Sequence, residues 1–343
     1  MIGISRGLDG GACPTIGSMT HGLRARIGFA SALATLIVVA LSGCSLLPGG
    51  KLNPLLGMAL YVNSDGLAQT AALRAAKSGA SDYDTRILTR LAAQPSAIWL
   101  TPEKYSVASV QGRVSAIVTT AVTRHEVPVF VVYGVPNRDC NGYSGGGLSE
   151  NDYRAWVSQI GQGFNGLPAV VILEPDALAL AGQCGNTSMR VQELTGAVNT
   201  LAGTKAITYI DAGHSDWISP GSMASLLTQV GLAKTAGFAT NVSNYVATGA
   251  EKNYADQISQ LAGDAHYVVD TSRNGLGTSG DWCNPPGRAL GDPPAVTPGL
   301  GPMDANLWIK APGESDGSCN GGPAVGQWEN SRALSLAANA GWQ

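Results

Sequence analysis

The sequence predicts an α/β fold, a single barrel of parallel strands wrapped by helices, and three observations predict it. Short β-branched apolar runs recur between residues 56 and 309. Ala-rich amphipathic stretches separate most of them, and strands alternating with helices build right-handed βαβ units and a parallel sheet. The strong polar clusters fall just after the runs, at the strand ends where a parallel barrel gathers its functional groups.

Taken in order, residues 1–44 read as an extension plus an export signal. Residues 1–18 precede a better start at Met19, residues 19–26 are basic, and residues 27–41 are apolar but short for a membrane span. Leu41-Ser42-Gly43-Cys44 resembles a bacterial lipobox, which would make Cys44 the lipid-bearing first residue of the mature chain. Ordinary signal cleavage and an uncleaved anchor are the alternatives. A short linker, 45–54, leads to the folded region, 55–343. The chain is therefore expected to be exported, either anchored to the envelope or secreted, touching membrane only through that anchor.

Eight candidate strands follow, at 56–62, 97–100, 127–133, 169–173, 206–210, 237–242, 266–269 and 307–309. Helices are expected at 107–124, 188–201, 222–235 and 251–261. The strands are apolar throughout, as when both faces are covered. The Pro/Gly-rich stretch 284–302 interrupts the repeat. A doubly wound open sheet is the rival architecture, disfavoured because no GxGxxG follows the first strand.

Of 343 residues, 44% are hydrophobic and 13% charged, with a net charge of −3. That balance excludes nucleic acid and anionic lipid as partners, since both need a basic footprint, and favours a neutral polymer or small ligand. Setting aside Cys13 and Cys44 leaves Cys140, Cys184, Cys283 and Cys319 in an exported chain, hence two disulfides. Four cysteines allow three pairings; the sequential one, Cys140–Cys184 with Cys283–Cys319, is preferred. There is no CxxC and the four histidines are scattered, so neither a metal nor another cofactor is expected.

The polar clusters carry the chemistry. They include Asp139 after the third run, Glu174 and Asp176 after the fourth, Asp211 and His214 after the fifth, Asn244 after the sixth, and Lys310, Glu314 and Asp316 after the last. Several carboxylates on one rim suit general acid and base catalysis, with a Mg²⁺ or Ca²⁺ site as the competing reading. Trp217 and Trp282 lie in Gly/Pro/Asp-rich loops, where exposed indoles suit the apolar faces of sugar rings. Trp99 and Trp308, inside strands, read as core.

Seven stretches, "VYGVPNRDC" (132–140), "VILEPDALA" (171–179), "YIDAGHSDW" (209–217), "ATNVSNY" (239–245), "DTSRNG" (270–275), "GDWCNPPGRALG" (280–291) and "LWIKAPGESDGSC" (307–319), resemble the family 6 glycoside hydrolases, the cellulases and cellobiohydrolases of that family. The resemblance implies a distorted (β/α) barrel of about seven strands, so one of the eight runs should fall outside it. Its disulfides fall at cysteines matching Cys140, Cys184, Cys283 and Cys319, consistent with the preferred pairing.

It further implies that Asp176 is the general acid, that Asp139 raises the acid's pKa, and that Asp316 is a candidate base acting through water. Asp211 would orient groups, and Tyr133 would press on the distorted sugar. Trp217 and Trp282 would be sugar platforms, while His214, Asn244, Lys310 and Glu314 would bind hydroxyls. Glu174 is expected to be structural, pairing with an arginine or backbone amides. Inversion of configuration is implied, with acid and base about 6.5–9.5 Å apart.

The short loop after Asp139 and the few residues between Asp316 and Cys319 resemble the open-cleft endoglucanase branch. Gly145-Gly146-Gly147 suggests a flap or a simple disordered turn. The expected activity is hydrolysis of internal β-1,4-glucosidic bonds by a monomer. A cellobiohydrolase, an enzyme for another β-glucan and a non-catalytic carbohydrate-binding lipoprotein are the alternatives.

Overall fold

The computed structural model describes residues 52–343, which lie within one compact unit, Leu47–Gln343. The export segment, Cys44 and most of the linker lie outside the described residues. Among the described residues ten strands occur: β1 (Ala59–Leu60), β2 (Ile98–Leu100), β3 (Glu126–Val127), β4 (Val129–Val132), β5 (Ala169–Leu173), β6 (Ala206–Asp211), β7 (Gly237–Thr240), β8 (His266–Asp270), β9 (Ala295–Val296) and β10 (Met303–Leu307). The helices are α1 (Leu67–Ser78), α2 (Asp82–Ala92), α3 (Val110–Thr123), α4 (Glu150–Gly163), α5 (Ala177–Leu180), α6 (Thr187–Ala202), α7 (Pro220–Val230), α8 (Thr248–Leu261) and α9 (Asn330–Asn339).

Seven parallel strands form the barrel wall in the order β2-β4-β5-β6-β7-β8-β10, and β9 adds an antiparallel edge to β10. Between β2 and β10 no ladder forms; Ala97 N–H donates to the Trp308 carbonyl and the Trp99 indole to the Ile309 carbonyl, both at 2.9 Å. The barrel is thus distorted, with one seam crossed by two bonds.

The first candidate strand, 56–62, falls outside the barrel, as the seven-strand expectation required: β1 pairs with β3 in a separate two-stranded ribbon. Pro128, lacking an N–H, separates β3 from β4 where one run was expected. The last strand is Met303–Leu307 rather than 307–309, because Asp304 and Asn306 hide it from an apolar count. Asp304 is tolerated inside because His266 Nδ1 (2.6 Å) and the Tyr209 hydroxyl (2.7 Å) satisfy its carboxyl.

Strand residues alternate between two apolar clusters. Val129, Val131, Val170, Ile172, Tyr209 and Val268 fill the barrel interior, while Phe130, Val132, Val171, Leu173, Ile210 and Val269 pack under the helices. Both faces are buried, hence the uninterrupted apolar strands. The inward series also decides what emerges on top: Tyr133 continues 129-131, Asp211 continues Tyr209, and Asp270 continues Val268.

Candidate active site

A cavity of about 880 Å³ opens at the C-terminal strand ends. Tyr133, Asp139, Asp176, His214, Trp217, Asn244, Trp282, Lys310, Glu314 and Asp316 all line it, although they come from positions far apart in sequence. Asp211 does not line the cavity; it is buried beneath it. Trp99 is a correction to the expected core role: it lines the cavity and meets the Tyr133 ring edge-on at 5.2 Å. Its place one residue from the end of β2 puts it on the rim. Trp308 is buried, as expected.

The chain leaves β5 through two left-handed residues, Glu174 (φ 50°) and Asp176 (φ 68°), on either side of Pro175. Such conformations are costly for residues other than glycine and persist where the surroundings hold them. The two carboxyls part company here. Glu174 is fully buried and accepts the amides of Gly134 (3.0 Å) and Val135 (3.1 Å), the structural role expected of it. Asp176 faces the cavity, and its own N–H donates to Asp211 Oδ2 at 2.9 Å.

Burial pushes the Asp176 carboxyl well above the usual carboxylate range, and the charges of Asp211 and Asp139 push it further. Lys310 pulls the other way. Burial also raises Glu174 to about 7, against the opposing effect of its two amide partners.

A carboxyl raised on folding makes stability fall as pH climbs from its unfolded to its folded pKa, because there the native state holds the extra proton. For Glu174 that window runs from 4.5 to about 7. Thermal melts should therefore show a midpoint that falls across this range. Glu174→Gln keeps an acceptor for both amides and should flatten that slope; an unchanged slope would put the titration elsewhere.

Asp139 sits in a turn whose three residues, Asp139, Cys140 and Asn141, are all left-handed. Ser144 N–H donates to Asp139 Oδ2 at 2.8 Å. Arg138 braces the turn from below through the carbonyls of Tyr133 (2.9 Å) and Ser144 (2.8 Å) and an ion pair with Glu103 at 3.0 Å. The glycine run that follows is held in place rather than being a simple disordered turn. Gly146 accepts from Arg138 N–H at 3.1 Å, and a Cβ on Gly147 (φ 92°) would lie 2.0 Å from the Val135 carbonyl. Cys140 is paired with Cys184 and Cys283 with Cys319, so both disulfides pin cavity loops.

Asp316 is buried and occupied. Arg273 Nη1 donates to both of its oxygens at 2.9 Å, and the Tyr245 hydroxyl and Asn284 N–H donate to Oδ2, each at 3.1 Å. Sequence reasoning assigned no role to Arg273, Tyr245 or Asn284. The one available signal was an arginine in a loop of otherwise small neutral residues, 271–275, at a strand end. Lys310 Nζ donates to Glu314 Oε1 at 3.0 Å, reaches Asp316 at 3.9 Å, and lies 5.4 Å from the centre of the Trp99 ring.

Asn244 turns its amide to the Val242 carbonyl (2.9 Å), and His214 packs against Trp217 with ring centres 5.3 Å apart. Burial holds the His214 imidazole below its ordinary pKa, which favours the neutral ring. Trp282 is 53% exposed, and Tyr143 meets its ring from the side at 5.9 Å.

Comparison with known proteins agrees with this arrangement. Endoglucanase A of Cellulomonas fimi is 48% identical over 265 residues, 77% of this chain and 58% of that protein. Endoglucanase A of Thermobispora bispora is 41% identical over 264 residues, 74% and 57%. The chain thus spans less than two thirds of the length of these relatives. The solved endoglucanase Cel6 of Mycobacterium tuberculosis, in complex with methyl-cellobiosyl-4-deoxy-4-thio-β-D-cellobioside, is 41% identical with a TM-score of 0.78, covering 84% of this chain and all of that one. The profile described as "Glycosyl hydrolases family 6" matches residues 56–340, the barrel and every cavity loop, and the chain belongs to that family.

Proposed function

We propose that this chain is an inverting endo-β-1,4-glucanase that cuts internal bonds of cellulose or a related β-glucan. The observation that carries the reading is Asp176, a carboxyl at the mouth of β5 whose burial and acidic neighbours favour its protonated form, in a cavity walled by indoles. It would donate its proton to the leaving glycosidic oxygen, with Asp139 and Asp211 supplying the negative charge that keeps it loaded. Water would attack the opposite face of the sugar. Because both oxygens of Asp316 already accept hydrogen bonds, it would act as base through intervening water. Tyr133 would crowd the sugar being cleaved.

The test is proton NMR of the anomer first released from a soluble β-1,4-glucan. Initial α-anomer supports inversion; initial β-anomer overturns it. Loss of activity in Asp176→Asn assigns the acid.

A second reading, a cellobiohydrolase, has one observation in its favour. Tyr143, from the loop after β4, packs against Gly317 and Trp282 from the loops after β10 and β8, narrowing the cleft. A rapid fall in viscosity of a substituted soluble cellulose per bond cut supports the endo reading; slow thinning with cellobiose release supports the other.

Trp282 would be a sugar platform at the cleft edge. Trp282→Ala should raise KM on cello-oligosaccharides about 3- to 10-fold with kcat nearly unchanged, since the stacking is present in ground and transition states alike. A fall in kcat alone would give it a different role.

For the whole protein we read export, with residues 1–44 as signal, 45–54 as linker, Cys44 as lipid anchor and a monomeric catalytic region at 55–343. Two disulfides favour an oxidising compartment.

A further inference from the structure

Residues 134–137 carry the chain from β4 into the turn that holds Asp139, and two buried side chains of opposite charge grip them. Glu174 takes the N–H side, accepting Gly134 (3.0 Å) and Val135 (3.1 Å). Arg190, near the start of α6, takes the carbonyl side. Its Nη2 donates to the Pro136 carbonyl at 3.0 Å and reaches that of Asn137 at 3.5 Å. Glu193, one helical turn on, holds the Arg190 guanidinium at 2.9 Å. The Cys140–Cys184 disulfide ties the same turn to the segment just ahead of α6.

Local preference does not put an arginine there. A cation near a helix N-terminus meets the positive end of the helix dipole, and a buried ion pair gains little net stability over apolar residues of similar volume. What Arg190 gains is reach. Pro136 has no N–H and Asn137 is left-handed (φ 49°), so this stretch cannot join a ladder and is held by its carbonyls. The Arg190 charge opposes the upward push that burial gives Glu174 and Glu193, and Glu150 and Tyr153 of α4 are the other ionisable groups that face them. Glu174 lies two residues before Asp176, and Asp139 two after Asn137. The clamp therefore joins the two segments that carry Asp176 and its acidic neighbour.

We propose that Arg190, with Glu193 as its counter-charge, is a positioning residue that fixes the Asp139 turn relative to Asp176 and so sustains kcat without touching substrate. Arg190 is buried and lines no part of the cavity. Without it the carbonyls of residues 136 and 137 lose their hold, and the Asp139 turn hangs from Arg138 and the disulfide alone. A misplacement of about 1 Å at a reacting centre costs about 10²-fold in rate, even when its origin is remote. The effect on rate rests on the reading of Asp139 as the partner of Asp176; the clamp itself does not.

Arg190→Met alone leaves Glu193 buried without its partner and puts folding at risk. The test variant is therefore Arg190→Met with Glu193→Leu, which removes both charges and keeps apolar bulk in their place. Amide hydrogen exchange, read by mass spectrometry, should rise across residues 134–146 of this folded variant and stay at the wild-type level in β6 to β8. On a soluble β-1,4-glucan kcat should fall about 10- to 100-fold with KM within about 3-fold of wild type. Arg190→Lys, which keeps a cation for the Pro136 carbonyl, should lose less. In an Asp139→Asn background the paired change should cost little more, because both act through one group. Wild-type exchange over 134–146 overturns the clamp. Raised exchange with wild-type kcat, or an undiminished further loss in the Asp139→Asn background, overturns its part in the reaction. Wild-type kcat in Asp139→Asn alone would instead fail the reading of Asp139, while the exchange result still decides the clamp.

Discussion

Asp176→Asn should lower kcat on a soluble β-1,4-glucan by about 10²- to 10⁴-fold, the usual contribution of a positioned general acid. The asparagine fits the same left-handed position, where Asn and Asp are the best tolerated side chains after glycine, and keeps the N–H that donates to Asp211. Shape and binding should therefore survive while the transferable proton is gone. KM should change little, and the loss should shrink on aryl glycosides whose leaving group needs no protonation. A comparable loss on both kinds of substrate would mean that Asp176 binds rather than protonates. Wild-type kcat/KM should also persist toward neutral pH, because burial and the charges of Asp211 and Asp139 all oppose loss of the Asp176 proton.

Arg273→Met should cost about 3–5 kcal/mol of stability, the penalty of leaving a buried carboxylate without its partner. Arg273 is fully buried, pairs with both oxygens of Asp316, lies over the Tyr245 ring at 4.3 Å, and also donates to the Ser243 carbonyl. Lys310, at 3.9 Å from Asp316 and already bonded to Glu314, is poorly placed to replace it. Urea unfolding of Arg273→Met, Asp316→Asn and the double variant would measure the coupling. The double variant should recover part of the loss. A single-variant cost below about 1 kcal/mol would show that the pair is dispensable.

How much of this was legible in the sequence differs from element to element. β5 was plain, because every residue in it is apolar and a polar cluster follows. β10 was not, because Asp304 becomes acceptable only through His266 and Tyr209, 38 and 95 residues away. The site acids were legible as a set, since each follows a strand end, and the ordered motifs gave them family roles. Trp99 was misread because its strand is short and only the curl of the sheet brings it to the rim. Arg273 and Arg190 were given no role, because a buried charge looks like a surface charge until its partners are known.

The sequence by itself determined a parallel α/β architecture, the end of the barrel where the chemistry gathers, and the family. Those depend on periodicity and on order along the chain, which local composition records. The tertiary structure alone decided the fate of each acid. Glu174 and Asp176 are two residues apart, yet one is consumed by the amides of Gly134 and Val135 while the other is left facing the cavity. Asp316 is tied to Arg273 across 43 residues, and Asp211 is bound from above by Asp176 across 35. A carboxyl's charge state follows from its burial and its partners, and those are set by contacts between distant segments that no local pattern encodes.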